Sequence, residues 1–162
     1  IKEKNRALVK YVNEALSEQK KKQQLSGEDD KSILYNDLDT ESSDIDKEYE
    51  INKQVFQKLD SLLRRDELYL SADLSREDLV RMAHMNNTRF AKMIKENTGG
   101  NLSGYINNLR LNHAIQLLNE HPNYTMKAIA EDSGFNSMPT FNNLFKKKTG
   151  MTPFEFKSAQ KE

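Results

Sequence analysis

The stretch TMKAIAEDSGFNSMPTFNNLFKKKTGMTP, residues 125–153, decides how the chain is read. Thr125 is a helix-capping residue ahead of a short helical pattern, Gly134 marks a bend, and Ser137 is a second cap. Phe141, Leu144 and Phe145 then recur at helical spacing, all turned inward, until Gly150, which supplies the left-handed conformation that ends helices. Helix, tight turn and second helix make a helix-turn-helix unit. Thr152-Pro153 caps a final short helix, whose Phe154 and Phe156 are expected in the core.

A second copy of this plan lies upstream, in SREDLVRMAHMNNTRFAKMIKENTG, residues 75–99. At an offset of 50, Ser75 pairs with Thr125 and Leu79 with Ile129; at 51, Phe90 pairs with Phe141, Met93 with Leu144, Ile94 with Phe145 and Gly99 with Gly150. The extra residue belongs in the second turn. The first turn, Ala83-His84-Met85-Asn86-Asn87, has no glycine, and either Asn86 or Asn87 is its cap. Internal similarity of this kind means one structural unit used twice. Between the copies Leu102, Tyr105, Ile106, Leu109, Ala114, Leu117 and Leu118 mark a long amphipathic helix, starting near Ser103 and ending before His121-Pro122, that acts as a spacer.

The outward faces of the two second helices carry the functional reading. With Phe90, Met93 and Ile94 inward, the first leaves Thr88, Arg89, Ala91, Lys92 and Lys95 outside, next to Asn87, with Arg89 and Lys92 the foremost base readers. The second leaves Thr140, Asn142 and Asn143 behind its cap Ser137, and ends in Lys146, Lys147 and Lys148. A helix fits the major groove, where Asn pairs with adenine and Arg with guanine, while Lys holds phosphates. Two such helices, about 87–97 and 138–149, set about 34 Å apart, reach adjacent major grooves from one chain.

Composition bounds this reading. Charged residues are 31% of the 162 and hydrophobic ones 36%, the net charge is +0, and mean hydropathy is −0.87. Up to Leu70 there are 13 Lys and Arg against 16 Asp and Glu, and beyond it 12 against 9, so the basic excess lies in the C-terminal part. The absence of cysteine excludes disulfides, a thiol nucleophile and Cys-ligated zinc. His84, His113 and His121 have no metal-ligand spacing, and no phosphate loop or serine-nucleophile motif is present, so neither an enzyme nor a cofactor is expected.

Upstream, residues 1–25 read as an amphipathic connector helix (Ile1, Leu8, Val12, Ala15, Leu16), residues 26–48 as an acidic flexible linker, and 49–72 as a helix leading into the domain at 73–162. Ile51, Val55, Phe56, Leu59, Leu62 and Leu63 define that leading helix, which ends near Arg64-Arg65.

The pattern Ile129-Ala130, Gly134-Phe135-Asn136-Ser137, Phe141, Phe145-Lys146-Lys147 and Thr149-Gly150-Met151-Thr152-Pro153 resembles the AraC/XylS family of bacterial transcription regulators. Leu79, Phe90, Thr98-Gly99, Tyr105-Ile106, Leu109-Arg110-Leu111, Ala114 and Leu117-Leu118 fit the family's less constrained first half. The resemblance implies an all-α domain of about seven helices, with two helix-turn-helix subdomains joined by the long helix. It places Thr88, Ala91 and Lys92, and Thr140, Asn142 and Asn143, at base-facing positions. Ala91 departs from the family's polar preference there, and Pro139 stands where no hydrogen bond is donated. The implied partners are double-stranded DNA, RNA polymerase and a second copy bound through the N-terminal helix. A sensing domain is expected upstream. Lys4-Asn5-Arg6-Ala7-Leu8 resembles the segment after a membrane helix in Bacteroidetes sensor-regulators, so a cytoplasmic protein tethered upstream of Ile1 is expected. The rival is a protein-interaction module on a helix-turn-helix scaffold.

Overall fold

The computed structural model describes residues 39–160. The expected helix over 1–25 and the linker residues 26–38 lie outside them. Among the described residues there are seven α-helices and no strand: α1 Asp39–Arg65, α2 Arg76–Ala83, α3 Asn87–Thr98, α4 Leu102–Glu120, α5 Met126–Asp132, α6 Met138–Thr149 and α7 Pro153–Ala159, with a 3₁₀ turn at Leu68–Leu70. No helix there is long and apolar enough to cross a membrane.

These elements fall into two compact units, one of residues up to Leu62 together with Ser75–Asn97, the other of Leu63–Leu74 and everything from Thr98. In the first, α1 buries Val55, Leu59 and Leu62, a stripe at spacings that return to one helix face. Leu79, Met82 and Ala83 of α2 and Phe90, Met93 and Ile94 of α3 are buried too. The leading helix is thus part of the first unit, and it starts at Asp39, ten residues ahead of Tyr49 where the apolar pattern begins. The linker assigned to 26–48 is therefore corrected over 39–48. A helix anchored by a packed stripe extends cheaply, because each added residue gains a hydrogen bond without a new nucleus. Lys47 and Asp44 pair at 3.7 Å along it, while Ile45 and Tyr49 stay exposed.

Capping explains the boundaries. Ser75 and Asp78 form a reciprocal capping box on α2, with Ser75 Oγ accepting from Asp78 N at 3.2 Å and Ser75 N donating to Asp78 Oδ2 at 3.2 Å. Asn86 caps α3 through Arg89 N at 2.8 Å, which settles the choice between Asn86 and Asn87. His84 closes α2 at φ 51, a left-handed conformation unusual for a residue with a Cβ.

The second unit is built on one cluster: Leu111, Ala114 and Leu118 of α4, Ile129 and Ala130 of α5, Phe135 of the turn, and Phe141 and Phe145 of α6. Its rings are contiguous, with centroids 5.2 Å apart for Phe135 and Phe141, 5.7 Å for Phe141 and Phe145, and 5.6 Å for Phe145 and Phe156. Leu144 packs against the cluster but is only half-buried. Phe154 is 68% exposed, against the expectation of core packing. Two residues apart on a helix, Phe154 and Phe156 point to nearly opposite sides, and only Phe156 meets the cluster. The helix α4 belongs wholly to this unit and contributes Leu111, Ala114 and Leu118 to its core.

At Gly134 (φ +87) a Cβ would lie 2.9 Å from Arg110 Nε and 3.0 Å from the carbonyl oxygens of Tyr69 and Leu70. Here the guanidinium of Arg110 donates from Nε to Tyr69 O at 2.6 Å and from a terminal nitrogen to Ser71 O at 2.9 Å, tying the 3₁₀ segment to α4. Burial pulls the pKa of Arg110 below its ordinary value and, acting ahead of the Glu67 charge, raises that of Tyr69.

Candidate nucleic-acid interface

Each unit presents the second helix of a helix-turn-helix, and the second turn is two residues longer, one from the change of offset and one because α5 ends a residue earlier than α2. Residues 84–86 separate α2 from α3, while 133–137 separate α5 from α6. The longer turn is closed by Ser133 N to Ile129 O at 3.1 Å and Phe135 N to Ala130 O at 2.9 Å, and Phe135 points into the core.

On α3, Asn87, Thr88, Ala91, Lys92 and Lys95 are exposed. Arg89 is half-buried, and its Nε donates to Asn52 Oδ1 of α1 at 3.0 Å. The side chain placed foremost among base readers is therefore engaged on the protein through Nε. Asn87 accepts from Arg76, at Oδ1 (3.5 Å) and at its backbone oxygen (3.4 Å), and Arg76 in turn lies 5.6 Å over the Phe90 ring. Lys92 Nζ stands 3.6 Å from Glu48 Oε1 of α1 and 3.9 Å from Glu96 Oε1. Two carboxylates thus offset the charge that a phosphate would meet.

On α6, Ser137 caps the helix, accepting from Thr140 N at 3.4 Å and from Thr140 Oγ1 at 3.0 Å. Thr140, Asn143, Lys146 and Lys147 are exposed, and Asn142 is half-buried. Pro139 sits exposed in the first turn, where its missing N–H breaks no helical bond. The three lysines occupy the last turn, the cation-favouring end of the helix dipole, and Gly150 (φ 81) ends it. Lys148 donates to the side chain of Asn108 on α4.

Sequence reasoning missed Asn52, although a signal existed. It lies three residues before Val55 and seven before Leu59, so the periodicity that buries those residues buries it as well. The histidines are separate: His84 closes α2, His113 Nδ1 lies 3.3 Å from Ser133 Oγ, and His121 stacks on Tyr124 with centroids 4.6 Å apart. No group of three or more potential metal ligands forms among the described residues.

Two tandem units of this kind, each with a capped and exposed second helix, define the class of double helix-turn-helix domains. A family model described as a helix-turn-helix domain matches residues 79–159, half of the chain, and the chain belongs to that AraC-type family. It is 38% identical over 80 residues to the uncharacterized transcriptional regulatory protein YesN of Bacillus subtilis, covering 49% of this chain and 22% of that protein. Among solved structures, the DNA-binding domain of the global transcriptional factor AdpA, in complex with a target DNA, superposes with TM-score 0.53 at 24% identity, over 57% of this chain and 82% of that one. The C-terminal domain of the response regulator yesN of Fusobacterium nucleatum gives TM-score 0.54 at 22% identity, over 65% and 95%. The chain spans between about a fifth and a third of the length of the curated relatives it matches. Fold and relatives are those of transcription-regulator domains and not of enzymes.

Proposed function

We propose that this chain is the double-stranded DNA-binding part of a transcription regulator and that α3 and α6 enter adjacent major grooves of one duplex. The observation that carries this is the repeated presentation of a capped second helix with an exposed, mainly polar outer face: Thr88 and Lys95 with Ala91 between them on α3, Thr140, Asn143, Lys146 and Lys147 on α6. Exposed Asn143, with Asn142 and Thr140 beside it, reads base edges, and Lys146 and Lys147 hold phosphates. Ser137 and Asn87 belong to the N-terminal ends of these helices, where backbone amides favour phosphate. AdpA, whose fold this chain shares, is captured on its target DNA, in keeping with the reading. RNA polymerase, a second copy joined through the upstream helix, and an upstream sensing domain complete the regulator, which works on the cytoplasmic side of a membrane tether.

Hydroxyl-radical footprinting on a selected duplex tests the arrangement. Two protected patches with centres about 10–10.5 bp apart are expected, and Asn143→Ala is expected to shift base preference by roughly 1–3 kcal/mol within one patch. A single patch rules out two-helix insertion. A protein-interaction module would show no salt-dependent duplex binding at all.

A further inference from the structure

Among the described residues two polar side chains are fully buried, Ser133 and Asn52. Ser133 meets His113 Nδ1 at 3.3 Å. Asn52 is less well served: its Oδ1 accepts from Arg89 Nε at 3.0 Å, but its Nδ2 is buried without a hydrogen-bond partner. A buried amide donor with no partner lowers stability relative to an apolar side chain in the same place. The orientation is forced, because an arginine Nε–H only donates and must meet the amide oxygen; turned over, the amide would set donor against donor. Position 52 extends the buried stripe of Val55, Leu59 and Leu62, where an aliphatic residue would serve packing alone. What the amide does that an aliphatic residue cannot is hold a guanidinium.

That guanidinium is planar, so a bond from Nε to a buried acceptor fixes the plane of the whole fork. Arg89 is half-buried and its terminal N–H groups make no hydrogen bond to another described residue. One turn earlier on α1, Glu48 approaches Lys92, so α1 and α3 are keyed together at two successive points. We propose that Asn52 is a positioning residue for base reading: it sets the plane in which Arg89 offers its outer edge to a guanine in the major groove. The inference rests on the DNA-binding reading above, and it places a specificity determinant outside the segment that matches the family, 79–159.

The probes are a duplex that the wild-type 162-residue chain recovers from a randomised pool and a scrambled duplex of the same composition. Asn52→Ala is expected to weaken binding to the recovered duplex ~10-fold, with the scrambled duplex within about twofold and the salt slope unchanged. Arg89→Ala removes the guanidinium itself, so the double variant should bind the recovered duplex no more weakly than Arg89→Ala alone. Asn52→Asp keeps an acceptor toward Nε and is expected to restore binding to within about threefold. Wild-type selectivity in Asn52→Ala, or losses that multiply in the double variant, would overturn the proposal while leaving DNA binding intact. Should Asn52→Ala not fold, Arg89→Lys decides, since it keeps the charge without the fork: lost selectivity at an unchanged salt slope supports the proposal, and retained selectivity overturns it. If the wild-type chain enriches no sequence and binds neither duplex in a salt-dependent way, the DNA-binding reading has failed, and this proposal with it.

Discussion

The two helix-turn-helix units share a plan but hold their second helices by different means. In the second, α6 is fixed from beneath by the contiguous rings of Phe135, Phe141, Phe145 and Phe156, and its lysines lie at its far end. In the first, α3 is also held from the side, because Arg89 and Lys92 both answer to residues of α1. The difference teaches that duplicated sequence need not mean duplicated electrostatics. In the first unit Lys92 and the Nε of Arg89 are engaged within the protein before any duplex arrives, whereas Lys146 and Lys147 of the second unit are exposed beyond its core.

The largest effects should come from breaking the two cores. Phe141→Ala and Phe90→Ala, both at fully buried positions, should each cost about 3–5 kcal/mol. Hydrogen exchange should place the loss among 63–74 and 98–159 for Phe141→Ala and among 39–62 and 75–97 for Phe90→Ala, and a loss spread evenly over both would show that the units unfold together. Next comes the bend that in the second unit is made by a glycine. Gly134→Ala combines positive φ with a Cβ 3.0 Å from two carbonyl oxygens, so a loss of roughly 2–4 kcal/mol is expected in chemical denaturation. The corresponding bend of the first unit should respond oppositely: His84→Gly relieves a left-handed residue and should gain up to about 1 kcal/mol.

Electrostatic contrast gives the third test. Lys146→Ala should weaken binding to every duplex and lower the salt slope by about 1, whereas Lys92→Ala should lower it by less, since Glu48 and Glu96 already offset that charge. Equal slopes would erase the distinction between the units.

The smallest effect is one they share. The Ser75 hydroxyl, above all other causes, holds Asp78 below its ordinary pKa, and the Thr152 backbone N–H does so first for Glu155. A carboxylate lowered on folding contributes stability that is present above its unfolded pKa and lost as pH falls through the folded one. Both capping boxes should therefore be intact at neutral pH and weaken only in acid, from the ordinary carboxylate range downward. Thermal midpoints measured against pH should flatten there in Asp78→Asn, by a modest amount because the group is only part-buried.

Much of this was legible in order along the chain. The caps Ser75, Thr125, Ser137 and Thr152, the closing Gly150 and the inward Phe90 and Phe141 act through residues within a turn or two, so local pattern suffices to place them. Exposure of Thr88, Lys95, Thr140 and Asn143 follows from the same periodicity. Arg89 was not legible in this way. Helical phase turns it outward, yet its Nε finds an acceptor 37 residues away in sequence, on a helix whose acidic N-terminal part reads as linker.

Residue order alone determined the duplicated helix-turn-helix plan, its boundaries and its family, because caps, breakers and apolar spacing are short-range and survive being read one residue at a time. Tertiary structure decided that α1 joins the first unit, that Asn52 takes Arg89, that Arg110 ties the 3₁₀ turn to α4, and that Phe154 faces out. Those outcomes depend on which distant side chain meets a given polar group once water is excluded, and desolvation of that kind has no signature in local sequence.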